Sequence, residues 1–214
     1  MLPAPLQRLC QYYRQHGFAS TARRFGTALR RMSYAGKNVV FVCELPVAQN
    51  PVRFSDGVLE RKSSLAALTA EEVERIVSPA DSAAGRRRMN ERFAARAELW
   101  LVRCQGIITA FGWTIKGRTM EPHFVPLAAD DVHLFDFFVF PEFRGRGLNP
   151  ALVGQILQAL SRENLKRAYI EAAAWNEPQL ASLKKTPFRR LGAARKFQLG
   201  KTTKVFWSRR ESQV

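Results

Sequence analysis

Apolar residues along the chain recur with two different periods, which predicts a protein built from both strands and helices. Runs rich in β-branched and aromatic residues predict strands at 38–45, 98–105, 107–115, 132–140, 167–174, 193–199 and 202–207. Helical spacing predicts helices at 69–77, 85–97, 149–163 and 178–191, and 46–56 is expected to be a loop. This order predicts a mixed α/β domain with one central sheet.

Local signals mark where several of these elements begin or turn. Thr69, followed three residues later by Glu72, has the pattern of a capping box at a helix start. The pair Gln105–Gly106 predicts a tight turn between two strands. Asn149 is a favourable N-cap residue and Pro150 a favourable first helical residue, so the helix at 149–163 should start there.

The charge of the chain is concentrated at its two ends. The sequence has 34 Lys+Arg and 18 Asp+Glu residues, which gives a net charge of +16. Residues 1–43 carry seven basic and no acidic residues, 181–214 carry ten basic residues and one acidic residue, and the middle is neutral. A neutral middle argues against a protein that coats nucleic acid along its whole surface, whereas basic ends suit a polyanionic ligand, a membrane surface or RNA.

The N-terminal basic end has a helical pattern of its own. Residues 4–16 and 19–33 predict two amphipathic, cationic helices. We therefore expect a basic helical extension at 1–37, ahead of a domain at 38–214. The extension is a candidate for peripheral contact with a membrane or with RNA, although basic ends can also serve solubility alone.

The sequence lacks the signals of a secreted, membrane-spanning or metal-binding protein. No run of about 18 apolar residues predicts a transmembrane helix, and no apolar secretory signal begins the chain. Cys10, Cys43 and Cys104 are odd in number and widely spaced, which fits neither a disulfide framework nor a metal site. These features predict a reduced, cytoplasmic protein without a bound metal.

The strongest motif is a glycine-rich turn between a predicted strand and a predicted helix. It reads Arg144-Gly145-Arg146-Gly147-Leu148-Asn149-Pro150. The two glycines permit positive φ angles and close approach of a ligand to the backbone. Loop N–H groups, the following helix N-terminus and two arginines favour an anion, and pyrophosphate in particular.

This turn resembles the acyl-CoA pyrophosphate loop of the GNAT superfamily of N-acyltransferases. The similarity extends to Asn176 and to the segment 176–192, and the layout matches over 38–207. The resemblance implies a mostly antiparallel GNAT-like sheet flanked by helices, with acetyl-CoA or another acyl-CoA as co-substrate. It also implies a possible homodimer, because family members are often dimers. The cofactor-binding residues that it implies are Phe138, Val139, Phe140, Arg144, Gly145, Arg146, Gly147, Leu148, Asn149 and Asn176.

The chain departs from the family pattern at three places. Asn149 and Pro150 stand at the end of the loop, where the family has Gly or Ala, and Pro187 replaces a usual Gly. Leu183 occupies the position where many members have a Tyr that protonates the departing thiolate. The proton for the thiolate is therefore expected from water or from another group.

The resemblance also implies a mechanism of direct attack by an amine on the thioester. The strand before the loop is expected to bulge and to splay from its neighbour, so that a backbone N–H near Phe138 or Val139 can stabilise the oxyanion. The candidate bases are His133, Asp136 and Glu171. On a regular strand His133 and Asp136 lie on opposite faces, so only one should face the substrate; burial among phenylalanines could raise the pKa of Asp136.

Together these features predict an acyl-CoA-dependent N-acyltransferase, most simply an acetyltransferase, acting on a small-molecule amine or an envelope precursor. The basic surface favours an anionic acceptor, such as a nucleotide-linked amino sugar. The alternative is a GNAT-shaped module without turnover that binds CoA, a membrane or RNA. His123 and Glu44 are weaker candidate bases. The run from Arg86 to Arg88 is expected to be either a solvated helix face or a substrate contact. The four tryptophans are expected to pack inside the protein.

Overall fold

The computed structural model describes residues 36–48, 54, 56–79, 82–199 and 202–210. The predicted helices at 4–16 and 19–33, and with them most of the predicted extension, lie outside the described residues. The strands are β1 (Lys37–Glu44), β2 (Gly57–Lys62), β3 (Glu98–Cys104), β4 (Ile107–Lys116), β5 (Asp131–Val139), β6 (Arg167–Ala173), β7 (Arg189–Leu199) and β8 (Thr202–Arg210). The helices are α1 (Ala70–Val77), α2 (Ser82–Ala94), α3 (Leu148–Leu160) and α4 (Glu177–Leu183), and short 3₁₀ turns lie at Leu65–Ala67 and Pro141–Phe143.

Within these ranges, the strands form one sheet in the order β2-β3-β4-β5-β6-β1-β7-β8. Neighbouring strands are antiparallel except β5 and β6, which are parallel. The predicted mixed, mostly antiparallel sheet is therefore confirmed. The single parallel contact follows from the crossover through α3, since parallel neighbours need a long connection.

Helices cover both faces of the sheet, because alternate residues of each strand point to opposite sides. On β3, Trp100 and Val102 belong to the core beneath α3, whereas Leu99 and Leu101 belong to the core beneath α1 and α2. The side of α3 that meets the sheet is fully buried at Leu152, Val153, Ile156, Leu157 and Leu160. None of the helices in the described part of the chain is long and apolar enough to cross a membrane.

Two of the local signals have the predicted geometry. The hydroxyl of Thr69 accepts the backbone N–H of Glu72 at 3.2 Å, and the Glu72 carboxylate accepts the backbone N–H of Thr69 at 2.7 Å, which completes the capping box. Gln105 and Gly106 both have positive φ, as a two-residue hairpin turn requires.

Two predictions about these elements are wrong, and one strand was missed. The helix expected at 178–191 ends at Leu183, where the Thr186 hydroxyl donates to the Leu183 carbonyl and Pro187 cannot continue the helix. The edge strand β2 was not predicted, because its short, charged sequence gains its structure from pairing with β3. Of the tryptophans expected to pack inside, Trp175 is 80% exposed.

Candidate active site

The sheet opens between β5 and β6. The two strands pair from Asp131 with Arg167 to His133 with Tyr169, and no further pairs follow in the described residues. At the closed end the buried Asp131 carboxylate accepts two hydrogen bonds from the Arg167 guanidinium, at 3.0 and 3.3 Å. Beyond His133, β5 continues alongside β4 as far as Val139, so its other edge faces the gap.

The backbone of Val139 points into this gap. Phe140 N–H donates to the carbonyl of Thr109 on the β4 side at 3.1 Å. Because successive residues of a strand direct their backbone groups to opposite edges, Val139 N–H and C=O face away from β4. The Val139 carbonyl accepts from Arg144 Nε at 3.1 Å, which leaves the Val139 N–H as the donor at the opening.

A bulge in β5 changes which side chains share a face. Phe138 pairs with Phe111 and Phe135 pairs with Trp113, so Asp136 and Phe137 together stand opposite Gly112. Asp136 has a φ of 49°. The bulge brings Asp136 into the same cavity as His133, so the expectation that they lie on opposite faces is wrong.

The environment of Asp136 also differs from the prediction. Its side chain is 58% exposed and forms an ion pair with Arg92 on α2. The Arg92 guanidinium in turn lies over the rings of Trp113 and Phe135, at 5.0 and 5.5 Å from their centres. Asp136 is thus an exposed, paired carboxylate rather than one buried among phenylalanines.

The glycine-rich loop forms one end of a cleft of about 570 Å³ that extends from the gap in the sheet to α4. Gly145 and Gly147 have φ angles of 79° and 72°, and a Cβ atom at either would meet no atom within 4 Å. Eight of the ten residues predicted to bind the cofactor line this cleft: Phe138, Val139, Arg144, Gly145, Gly147, Leu148, Asn149 and Asn176.

The other two predicted residues lie beside the cleft rather than in its lining. Phe140 is 3% exposed, and its ring packs beneath the Arg75 guanidinium at 3.7 Å. Arg146 is exposed, donates to the Glu142 carbonyl at 3.4 Å and lies over the Phe143 ring.

Asn149 links two helices instead of capping one. Helix α3 begins at Leu148 with Gly147 as its N-cap, so the predicted start of this helix is corrected by one residue and by its cap. The Asn149 amide donates to Gln179 Oε1 and to Ser182 Oγ on α4, both at 2.9 Å. Its oxygen Oδ1 is buried without a hydrogen-bond partner, while other atoms of the residue line the cleft.

Asn176 and Leu183 hold α4 in place from its two ends. The Asn176 side-chain oxygen accepts the backbone N–H of Gln179 at 3.2 Å and caps the helix. Leu183, at the position of the family's Tyr, is fully buried in the core beneath α3. The Leu183 side chain is therefore not part of the cleft lining.

His133 on β5 and Glu171 on β6 are in hydrogen-bonding contact, and His123 joins them. Glu171 Oε2 lies 2.8 Å from His133 Nε2 and 3.1 Å from His123 Nε2. Burial alone would raise the pKa of Glu171, but the hydrogen bonds from both histidines outweigh it and hold that pKa well below its usual value. Glu171 is therefore an ionised acceptor, and each histidine must present a protonated Nε2 to it.

These three residues are also the types that bind a divalent metal, and their ligand atoms lie within 4.8 Å of one another. The hydrogen bonds around them fit a metal poorly. The Nδ1 atom of His123 accepts the backbone N–H of Val125 at 3.4 Å, which leaves its proton on Nε2, facing Glu171. A metal-binding histidine instead donates through its other nitrogen, and His133 Nδ1 has no partner for such a bond.

Two hollows that share lining residues lie between the cleft and this histidine cluster. The first, of about 190 Å³, shares Phe137 and Phe138 with the cleft. The second, of about 290 Å³, is lined by His123, His133 and Glu171. The two hollows share Arg88, Arg92 and Asp136.

The hollows thus bring together all three predicted bases, His133, Asp136 and Glu171, but not the weaker candidate Glu44. Glu44 is exposed at the far end of β1 and pairs with Arg189 at 3.4 Å. Arg92 and Gly112 were missed, because neither carries a local sequence signal. Arg88 and His123 were weighed only as secondary candidates, because their places in the hollows depend on tertiary contacts.

The sequence matches the model of the acetyltransferase (GNAT) family over residues 69–186, which is more than half of the chain. The chain therefore belongs to the GNAT acetyltransferase family. A comparison with curated proteins found no match.

Several solved structures share the fold at low sequence identity. An acetyltransferase of the GNAT family from Colwellia psychrerythraea is 12% identical, with a TM-score of 0.53 over 80% of this chain and 59% of that one. A tandem GNAT protein from the clavulanic acid biosynthesis pathway, solved without acetyl-CoA, is 13% identical, with a TM-score of 0.53 over 80% and 55%. A conserved protein of unknown function from Staphylococcus epidermidis is 10% identical, with a TM-score of 0.51 over 74% and 59%. The chain thus matches less than two thirds of the length of each.

Proposed function

We propose that the protein is an acyl-CoA-dependent N-acyltransferase that moves an acetyl group from acetyl-CoA to the amine of a small molecule. The observation that carries the proposal is the gap between β5 and β6, into which Val139 presents a backbone N–H. The gap leads directly to the loop with Gly145 and Gly147. Family membership supports the same reaction.

The residues of the cleft fit an acyl-CoA. The open space over Gly145 and Gly147 leaves their backbone accessible to a pyrophosphate at the start of α3. Lys185 supplies a cation on the same cleft.

The chemistry on this scaffold is attack of a neutral amine on the thioester carbonyl. The Val139 N–H would donate to the carbonyl oxygen and stabilise the negative charge that develops there. The new C–N bond forms as the C–S bond breaks. With Leu183 buried, the proton that the attacking nitrogen loses after the C–N bond forms passes through water in the open cleft to the departing thiolate.

The attacking amine must first lose a proton, and the hollow offers two acceptors for it. We assign this role to His133, with Nδ1 as the accepting atom because Nε2 already carries a proton toward Glu171. Nδ1 is buried in the free protein, so the ring must be uncovered when the acceptor binds. The ionised Glu171 then stabilises the imidazolium that forms. Asp136 is the second candidate, and its carboxylate is already paired with Arg92. A pH profile of kcat/KM tests this assignment, because a general base is inactive when it is protonated and so causes the fall in rate at low pH. Loss of that acidic limb in His133→Gln, but not in Asp136→Asn, would support His133, and an unchanged limb in His133→Gln would contradict it.

Binding of acetyl-CoA, measured by calorimetry, tests the cofactor assignment. We expect a micromolar Kd, about 8 kcal/mol, for the wild type. Gly147→Trp should abolish binding by filling the loop. Gly106→Trp is the matched control, since Gly106 has a similar φ of 80° and open space around it but lies in the β3–β4 turn.

Either of two results would contradict the cofactor assignment. One is a folded wild type that binds no acyl-CoA of any chain length, and the other is equal loss of binding in both glycine variants. A second candidate function is a GNAT-shaped module that binds CoA without turnover. The observation that favours it is Leu183, which is buried at the position where the family's Tyr would protonate the thiolate. Binding without any release of free thiol, over a broad panel of amines, would favour that module.

A further inference from the structure

Arg88 differs from the other arginines of α2 in having no acidic partner. Arg86 pairs with Glu74, Arg87 lies 3.9 Å from Glu91, and Arg92 pairs with Asp136. Among the described residues, no carboxylate lies within ion-pair distance of Arg88. Its side chain lines both hollows on the acceptor side of the sheet.

A second cation lines the larger hollow from β7. Lys196 Nζ donates to the carbonyl of Pro122 at 2.9 Å and lies over the ring of Phe124 at 4.8 Å. It too has no carboxylate partner within the described part of the chain. An ammonium carries three donor hydrogens, so two remain for a ligand in the hollow.

Unlike these two cations, most of the carboxylates that line the same hollow have a partner of opposite charge or a hydrogen-bond donor. Glu171 is held ionised by the two histidines, and Asp136 is held by Arg92. Glu91 is engaged by Arg87, and Glu121 is exposed. The hollow therefore presents the ionised Glu171 at the histidine cluster, and two cations, Arg88 and Lys196, that have no carboxylate partner among the described residues.

We propose that the acceptor is a small zwitterion, an amine that also carries a carboxylate or a phosphate, and that Arg88 and Lys196 bind its anionic group. Its amine then lies toward His133 and Glu171, where the proton is removed. The volume of about 290 Å³ is at the low end for ligand pockets, so it suits a molecule of amino-acid size better than a nucleotide-linked sugar. This proposal rests on the proposed acyl transfer, because it names the acceptor of that reaction.

The test pairs each zwitterion with the amine that lacks its anionic group. The panel is L-alanine and aminoethyl phosphate against ethylamine, and L-lysine against cadaverine. Direct binding is measured by calorimetry on the full chain, and turnover is measured as release of free thiol from acetyl-CoA. We expect the zwitterions to bind more tightly and to turn over faster than their partners.

Two arginine variants then locate the anion site. Arg88→Gln should raise the KM and Kd for the zwitterions by roughly tenfold to a hundredfold, the usual effect of losing a hydrogen bond between charged groups. Its Kd for the matched amines should stay within about twofold, because they have no group for Arg88 to bind. Arg86→Gln, two residues away on α2, is the control and should change neither class, because neither Arg86 nor its partner Glu74 lines either hollow.

The outcomes separate this proposal from the proposed reaction. Equal binding of zwitterions and amines, or equal effects of the two arginine variants, overturns the zwitterion proposal even where acetyl-CoA binds and thiol is released. Failure of acetyl-CoA to bind overturns the proposed reaction instead. The direct binding of the panel still decides whether Arg88 recognises an anionic amine in that case.

Discussion

Gly112 lies beneath the ring of Phe137, the residue that separates the cofactor cleft from the first acceptor hollow. A Cβ atom on Gly112 would stand 2.6, 2.7 and 2.9 Å from three atoms of that ring. Ordinary contact begins at 3.4 Å, so the ring must move by about 0.8 Å. Gly112→Ala therefore displaces the ring of Phe137, which lines the proposed acyl-CoA cleft.

The size of the effect follows from how this strain is relieved. The ring of Phe137 is only half-buried, so it can give way, and we expect a loss of stability near the low end of overpacking, about 1 kcal/mol. Positioning is more sensitive, since a shift of about 1 Å can cost roughly a hundredfold in rate. We expect the Kd for acetyl-CoA to rise about tenfold, or 1.4 kcal/mol, measured by calorimetry alongside urea unfolding.

Gly57→Ala is the matched control for overpacking. Its Cβ would stand 2.8 Å from Phe54 and 3.2 Å from Cys104 Sγ, on the edge strand β2, away from the cleft. It should lower stability without changing the Kd for acetyl-CoA. In a Phe137→Ala background, adding Gly112→Ala should have no further effect on binding.

Two results would refute the reasoning about Gly112. One is a Gly112→Ala protein that loses stability as Gly57→Ala does but binds acetyl-CoA as tightly as the wild type. The other is a full loss of binding on adding Gly112→Ala to Phe137→Ala, because no ring is then present to be displaced.

Three further predictions concern the histidine cluster and α4. The pKa of Glu171 is lower in the folded state than its ordinary 4.5. The extra stability of the wild type over Glu171→Gln should therefore be complete above pH 4.5 and shrink as the pH falls below it. A difference in unfolding free energy, measured with urea, that does not change with pH would contradict this. A chelator should leave the thermal midpoint unchanged, because His123 faces Glu171 with a proton, and a stoichiometric rise in the midpoint with added zinc would show that a metal binds. Leu183→Tyr should destabilise by about 1 to 3 kcal/mol through overpacking without speeding thiol release, and faster release would mean that the hydroxyl reaches the cleft.

The sequence predicted the features that depend on neighbouring residues. The capping box at Thr69, the turn at Gln105–Gly106 and the positive φ angles of Gly145 and Gly147 were predicted correctly, because capping and backbone conformation are local properties. The predicted cap of α3 at Asn149 was wrong, since Gly147 caps that helix. The family resemblance rested on that loop and is confirmed. The cytoplasmic location, the homodimer, and the contact of residues 1–37 with a membrane or RNA stay predictions.

The tertiary structure decided which functional side chains meet. Alternation along a regular strand separated His133 from Asp136, but the bulge opposite Gly112 brings them into one hollow. Burial of Asp136 was predicted from its phenylalanine neighbours in sequence, whereas its actual partner is Arg92 on α2. The physical reason is the same in both cases. The bulge depends on how β5 pairs with β4, and the ion pair depends on where α2 packs, so neither can be predicted from the residue pattern of β5 alone.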